Sequence, residues 1–220
     1  MHRILLLGLG LIATAPMAQP LLCDNGLVSV QAGSPALAQT ICTHSDAALA
    51  QFRACALPDP APVLIETVET LDHSCIGLFH CGENWIEVLS PSALETERLK
   101  QSLFAHIPTD RLFASVIQHE MAHALFDTVP CPHASCLATT EYFAYTQQIA
   151  GLTEQDRAPI AARSHFPEPV SREALNAMIL LMAPDVFARK AWAHFTARGE
   201  ACAVWQDMMD GGMFLDRLHP

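Results

Sequence analysis

Positive charge is scarce in this chain. Twelve Lys and Arg stand against 23 Asp and Glu, a formal net charge of −11, and no long basic run occurs. Such a surface repels phosphate backbones and anionic headgroups, which argues against nucleic acid or a membrane surface as partner. There is no internal repeat and no low-complexity linker, so nothing points to a solenoid or a string of modules. Beyond the N-terminus no apolar run approaches membrane-spanning length. What is present is apolar enough to fold alone: 51% of the 220 residues are hydrophobic, which suits one medium-sized domain with two lobes around a cleft.

The N-terminus reads as a secretory signal. His2 and Arg3 form a short basic region, and residues 4–15 form an apolar stretch too short to span a bilayer. Cleavage is expected after Ala18, leaving a single mature domain over 19–220. Losing Arg3 leaves 11 basic against 23 acidic side chains, a net charge of −12. The mature chain is expected free of the membrane, in the periplasm or secreted. All eight cysteines lie beyond the signal, and an even count in an exported chain points to as many as four disulfides. Cys75 with Cys81, and Cys131 with Cys136, are natural local pairs because each closes a short loop. The pairing of Cys23, Cys42, Cys55 and Cys202 stays open. Neither close pair has CxxC spacing, which weighs against a thiolate metal site.

Alternation over 26–33 predicts a first strand. Ser34-Pro35 then opens a helix as N-cap and first helical residue, with Leu37, Ile41, Ala48, Leu49, Phe52 and Cys55 at helical spacing. Residues 63–69 read as a second strand. Residues 76–80 and 85–89 read as a hairpin turning at Cys81-Gly82-Glu83-Asn84. Weak helical character follows Ser90-Pro91, through Leu94 and Leu99. A strong helix begins near Thr109-Asp110 and runs to about Asp127, ended by Pro130-Cys131-Pro132. Later residues read as helical, most clearly over 139–149, 172–182 and 186–195. The order is strand, helix, three strands, then helices, which is an α+β class: a small twisted sheet with a backing helix, then a helical C-terminal half. The lobes are expected over about 24–128 and 137–220.

The strong helix contains His119-Glu120-Met121-Ala122-His123. Residues four apart share a helix face, so both imidazoles can point at one ion. Zinc suits neutral imidazole ligands and keeps a position for water. Glu120 lies about 100° further round, where it can take a proton from a water that the ion has made acidic. Val116-Ile117-Gln118 before the motif and Ala124-Leu125 after it are uncharged, as a helix buried beside a cleft requires. The competing reading is an ordinary core helix that happens to carry two histidines.

This uncharged HExxH helix, together with the order of elements before it, resembles the zincin metallopeptidases. Metzincins place glycine and histidine at fixed downstream positions, and this chain has Phe126 and Val129 there. The resemblance is therefore to the gluzincins, which take a third ligand from a glutamate on the next helix. Glu141 fits, 18 residues past His123, with Glu154 and Asp156 as weaker substitutes. The likeness implies one zinc ion held by His119, His123 and Glu141, Glu120 as general base, and hydrolysis of a peptide or protein substrate. It also implies an edge strand that binds extended substrate, by position residues 85–89. Many gluzincins carry an aspartate four residues after the ligand glutamate; this chain has Tyr145, so what supports the histidines must differ. Tyr145 shares Glu141's helical face and is a candidate catalytic donor to an oxyanion. A packed aromatic is the alternative for it, and His133, His165 and His194 are further candidate donors. Two other functions stay open: an exported zinc-binding module with no turnover, and a disulfide-stapled binding domain with no metal.

Overall fold

The computed structural model of the chain describes residues 19–71, 75–98 and 102–216. The expected signal, and Leu99 of the weak helical stretch, lie outside them. Five strands form one mixed sheet: β1 (Leu21–Leu22), β2 (Val28–Gln31), β3 (Val63–Val68), β4 (Gly77–His80) and β5 (Trp85–Leu89), in the order β1-β2-β3-β5-β4. β2, β3 and β5 run parallel, and β1 and β4 run antiparallel at the two edges.

Strand alternation gives the sheet two unlike faces. Val30, Ile65, Ile86 and Phe79 stand in register as one buried row across four strands. Each such side chain contributes about 1.5–3 kcal/mol by leaving water. On the opposite face the register aligns Gln31, Glu66 and Glu87. There the Gln31 amide donates to Glu66 at 2.8 Å, and His80 pairs with Glu87 at 2.8 Å. One face is therefore wet, and helices cover only the other.

Those helices are α1 (Pro35–Ala54) and α3 (Thr109–Phe126), which touch the sheet and each other. α1 starts as the sequence predicts: Ser34 Oγ accepts from the Leu37 N–H at 3.2 Å, with Pro35 in the first turn. Its buried stripe is Ile41, Ala48, Leu49 and Phe52. Ser90 caps the short α2 (Pro91–Glu97) in the same way. The second half comprises α4 (Leu137–Gly151), α5 (Glu154–Arg163), α6 (Ala177–Met182), α7 (Pro184–Ala197) and α8 (Ala201–Met209). The class is α+β, as expected.

Some elements differ from expectation. The short strand β1 was not anticipated, and α5 and α8 fall within the stretch read as helical without having been singled out. Residues 172–182, expected as one helix, form a 3-10 turn Arg172–Ala174 and then α6. Asn176 makes the break, because its side chain accepts from the Ile179 N–H at 3.0 Å and so starts a new helix. The edge strand is also a correction. β5 lies between β3 and β4, and β4 takes the edge, since one side of β5 is occupied by parallel pairing with β3.

Three disulfides are formed: Cys23–Cys42, Cys55–Cys202 and Cys131–Cys136. They fit an oxidising compartment, and among the described residues no helix is long and apolar enough to cross a membrane. The expected Cys75–Cys81 pair is not formed, and both thiols are free. Strand β4 lies between them, and six residues of extended chain reach about 20 Å, far beyond the span of about 7 Å that a disulfide can bridge.

Cys55–Cys202 closes a separation of 147 residues and Cys131–Cys136 one of 5. Loop-closure entropy predicts a loss of about 3–5 kcal/mol for the Cys55→Ser/Cys202→Ser variant and about 2 kcal/mol for Cys131→Ser/Cys136→Ser. Urea titration of the two double variants checks this; equal losses would contradict the loop-length account.

Candidate metal centre

Helix periodicity sets the first half of the site. His119 and His123 stand one turn apart on α3, with their Nε2 atoms 3.1 Å apart. α4 supplies the rest by packing antiparallel on α3. Phe126 meets Phe143 at 5.0 Å between ring centroids, His119 meets Tyr145 at 4.8 Å, and Ser115 meets Gln148. As the numbers fall along α3 they rise along α4. Glu141 thereby faces both histidines, at 3.5 Å from His119 Nε2 and 3.6 Å from His123 Nε2.

The N-terminus of α4 has no side-chain cap of its own. Asp216, from the far end of the chain, provides one. Its carboxylate accepts from the Ala138 and Thr139 N–H groups at 3.0 and 2.9 Å, and from the Thr139 hydroxyl at 2.7 Å. An anion there satisfies orphan donors and complements the helix dipole. It fixes the helix that carries Glu141.

The three donors fit a metal ion. His119, His123 and Glu141 each offer one ligand atom, all within 4.8 Å of one another. Atoms about 2.1 Å from a tetrahedral zinc stand about 3.4 Å apart; the two Nε2 atoms are 3.1 Å apart, and each has one Glu141 oxygen near that distance, Oε2 at 3.5 Å from His119 and Oε1 at 3.6 Å from His123. The side chains are only 12, 14 and 22% exposed, so the cluster is largely shielded from water.

Burial sets the electrostatics. It depresses His123 to about 4, with the Glu141 charge opposing and the His119 charge adding to the effect. For His119 burial also pulls down, but its hydrogen bond with Glu141 and the charges of Glu120 and Glu141 outweigh it, so that ring lies above its ordinary value. Burial pushes Glu141 up, and the His119 hydrogen bond with the two imidazole charges brings it below the usual carboxylate range.

Glu120 turns from this face toward β4. It is 5% exposed and accepts from the Phe79 N–H. A Cβ at Gly77 would lie 2.5 Å from Glu120 Oε1, so only glycine lets the strand pass over this carboxylate. Burial raises Glu120 to about 7, with the His119 charge and the Phe79 N–H opposing and Glu141 adding to the effect.

The other candidate residues sort clearly. Tyr145 lies edge-on to His119, between Phe104 and Phe187, and burial lifts its hydroxyl well above the usual range. Glu154 pairs with Arg157, and buried Asp156 pairs with Arg111 at 2.7 Å, so neither replaces Glu141 as third ligand. His194 bonds the Tyr142 hydroxyl at 2.9 Å, His133 lies edge-on to Phe214, and His165 lines a cavity of about 570 Å³ between α5 and α7, away from the triad. Sequence reasoning missed two neighbours. Gln148, two turns beyond Glu141 on the same face of α4, accepts from His119 Nδ1 at 3.1 Å. Cys75 is raised first by burial and then by the charges of Glu120 and Glu141. The i+7 spacing could have flagged Gln148; nothing local could have flagged Cys75.

An unfolded Glu120 titrates near 4.5 and the folded one near 7. The folded metal-free chain therefore holds the proton more tightly. This contribution to stability is complete below about pH 4.5 and is lost as pH rises through about 7. Glu120→Gln cannot ionise. At pH 8 the metal-free variant should be more stable than the native chain, by an amount on the order of a few kcal/mol, with the gap closing toward pH 4.5. Chemical denaturation across that range checks this; a gap that does not vary with pH contradicts it.

A family model described as a family of unknown function, DUF6639, matches residues 28–218, and the chain belongs to that family. No curated protein and no solved structure matches the chain.

Proposed function

We propose that this DUF6639 member is an exported, gluzincin-like, zinc-dependent hydrolase of peptide or amide bonds, periplasmic or secreted. Membership of the family carries no activity, so the reading rests on the site. The observation that carries it is the spacing of three donors from two helices, which suits a tetrahedral ion, beside a buried carboxyl raised to about 7.

A zinc ion held by His119, His123 and Glu141 would polarise a substrate carbonyl and lower the pKa of a coordinated water to about 7. Glu120 is the general base. A group that titrates near the working pH can take a proton and return it to the leaving amine. The Phe79 N–H and the tight passage of Gly77 hold its carboxylate in one place. Tyr145, with its ring against His119, supplies a hydroxyl for the charge that develops on the carbonyl oxygen. An extended peptide would pair with the outer edge of β4, which has no strand partner among the described residues.

One observation favours a second reading, an exported zinc-binding module without turnover. Glu120 is almost fully covered, and a backbone donor already engages it.

Purified protein with its disulfides intact should retain about one zinc per chain after dialysis. Glu120→Gln should keep the metal and lower turnover on a peptide library by about 10²–10⁴-fold. Undiminished hydrolysis in that variant removes the mechanism. Retained zinc without turnover on any peptide supports the module, and no retained metal sinks both readings.

A further inference from the structure

Behind His119 runs a chain of buried polar groups whose direction can be worked out from its far end. Ser115 Oγ lies 2.8 Å from the Leu112 carbonyl. A carbonyl can only accept, so the serine hydroxyl donates there and its oxygen is left to accept. Gln148 Nε2 lies 3.2 Å from that oxygen and is its donor. The amide therefore turns its carbonyl toward His119, where Oε1 is 3.1 Å from Nδ1. Oε1 also can only accept, so Nδ1 must carry the hydrogen. His119 Nε2, on the other side of the ring, is the atom that faces His123 and Glu141. One main-chain carbonyl thus decides which nitrogen of a ring three hydrogen bonds away is offered to the cluster.

Both side chains are largely buried, Ser115 being 6% and Gln148 4% exposed, at the wall of a cavity of about 210 Å³. Breaking any one of these bonds leaves a largely buried polar group without that partner. The partner chosen is also neutral. Glu120 and Glu141 already place two carboxyl groups beside the imidazoles, and a third anion would raise the cost of ionising them. An amide orients the ring without adding charge.

We propose that Gln148, anchored by Ser115, is the positioning residue that sets His119 in its Nδ1–H form and aims Nε2 at the metal. This rests on the reading of the triad as a zinc site. It gives an uncharged answer to the absence of an aspartate at position 145.

The test compares Gln148→Leu, Gln148→Glu and Ser115→Ala by zinc affinity, using competition against a chromophoric chelator, with metal-free melting temperatures alongside. Gln148→Leu should bind zinc about 10–100-fold more weakly than the native chain. Gln148→Glu, which still accepts from Nδ1, should restore binding to within a few-fold. Ser115→Ala should weaken binding by a few-fold, since it removes only the anchor. A merely structural role gives the opposite order, because leucine fills the buried space without charge and glutamate does not. Long-range ¹H–¹⁵N spectra of the metal-free protein, recorded at a pH where His119 is neutral, add a readout independent of metal. His119 should carry hydrogen on Nδ1 in the native chain and mixed tautomers in Gln148→Leu. Native-like zinc affinity in Gln148→Leu overturns the positioning role while leaving the triad intact. A native chain that takes up no zinc removes the metal reading beneath it.

Discussion

The antiparallel packing of α3 on α4 brings two imidazoles and two carboxyl groups together in a space that is largely shut from water. Removing an ion from water costs several kcal/mol even after the protein relaxes, so such a cluster persists only where its members compensate one another. They do so unevenly. Burial takes His123 down to about 4 and Glu120 up to about 7, whereas for His119 and Glu141 burial is outweighed by their mutual hydrogen bond and charges, which raise the imidazole and lower the carboxyl. The same three side chains that compensate one another, His119, His123 and Glu141, are the ones whose donor atoms converge on one point.

Much of the surrounding architecture serves that pairing of helices. α1 and the sheet back α3, and Gln51 of α1 donates to the Gln147 carbonyl of α4 at 2.9 Å, joining the backing helix to the one that bears Glu141. Asp216 caps α4 from the C-terminal segment, and Cys55–Cys202 ties α8 to the end of α1. The β4–β5 turn is bound to the far end of the motif helix, where the Gly82 N–H donates to Asp127 at 3.0 Å. These ties join the sheet to the motif helix, and the backing helix to helices of the second half. They hold the edge strand over Glu120 and Glu141 against the histidines at the same time.

Features carried by local rules were legible in the sequence. Ser34-Pro35 and Ser90-Pro91 open helices because a hydroxyl cap and a fixed φ act over three or four residues. The i, i+4 spacing of His119 and His123 has the same character. The order of the hairpin strands in the sheet was less accessible. Both read as strands, and only the heavier burial of Ile86, Val88 and Leu89 marks β5 as the inner one. Cys75 and Cys81 misled because closeness in sequence stands for closeness in space only when the intervening chain turns, and here it runs straight through β4.

By itself the sequence determined the motif helix, the uncharged faces that bury it, the α+β order and the residues with metal-ligand chemistry, since each depends on neighbours within a turn or two. Tertiary structure alone decided that Glu141, rather than Glu154 or Asp156, meets the histidines. It also decided that Cys23 pairs with Cys42 and Cys55 with Cys202, that β4 is the edge, and that Gln148 stands behind His119. Those outcomes follow from how α4 docks on α3 and how β5 pairs with β3. Such docking is set by the packing of whole faces, which no short window of sequence contains.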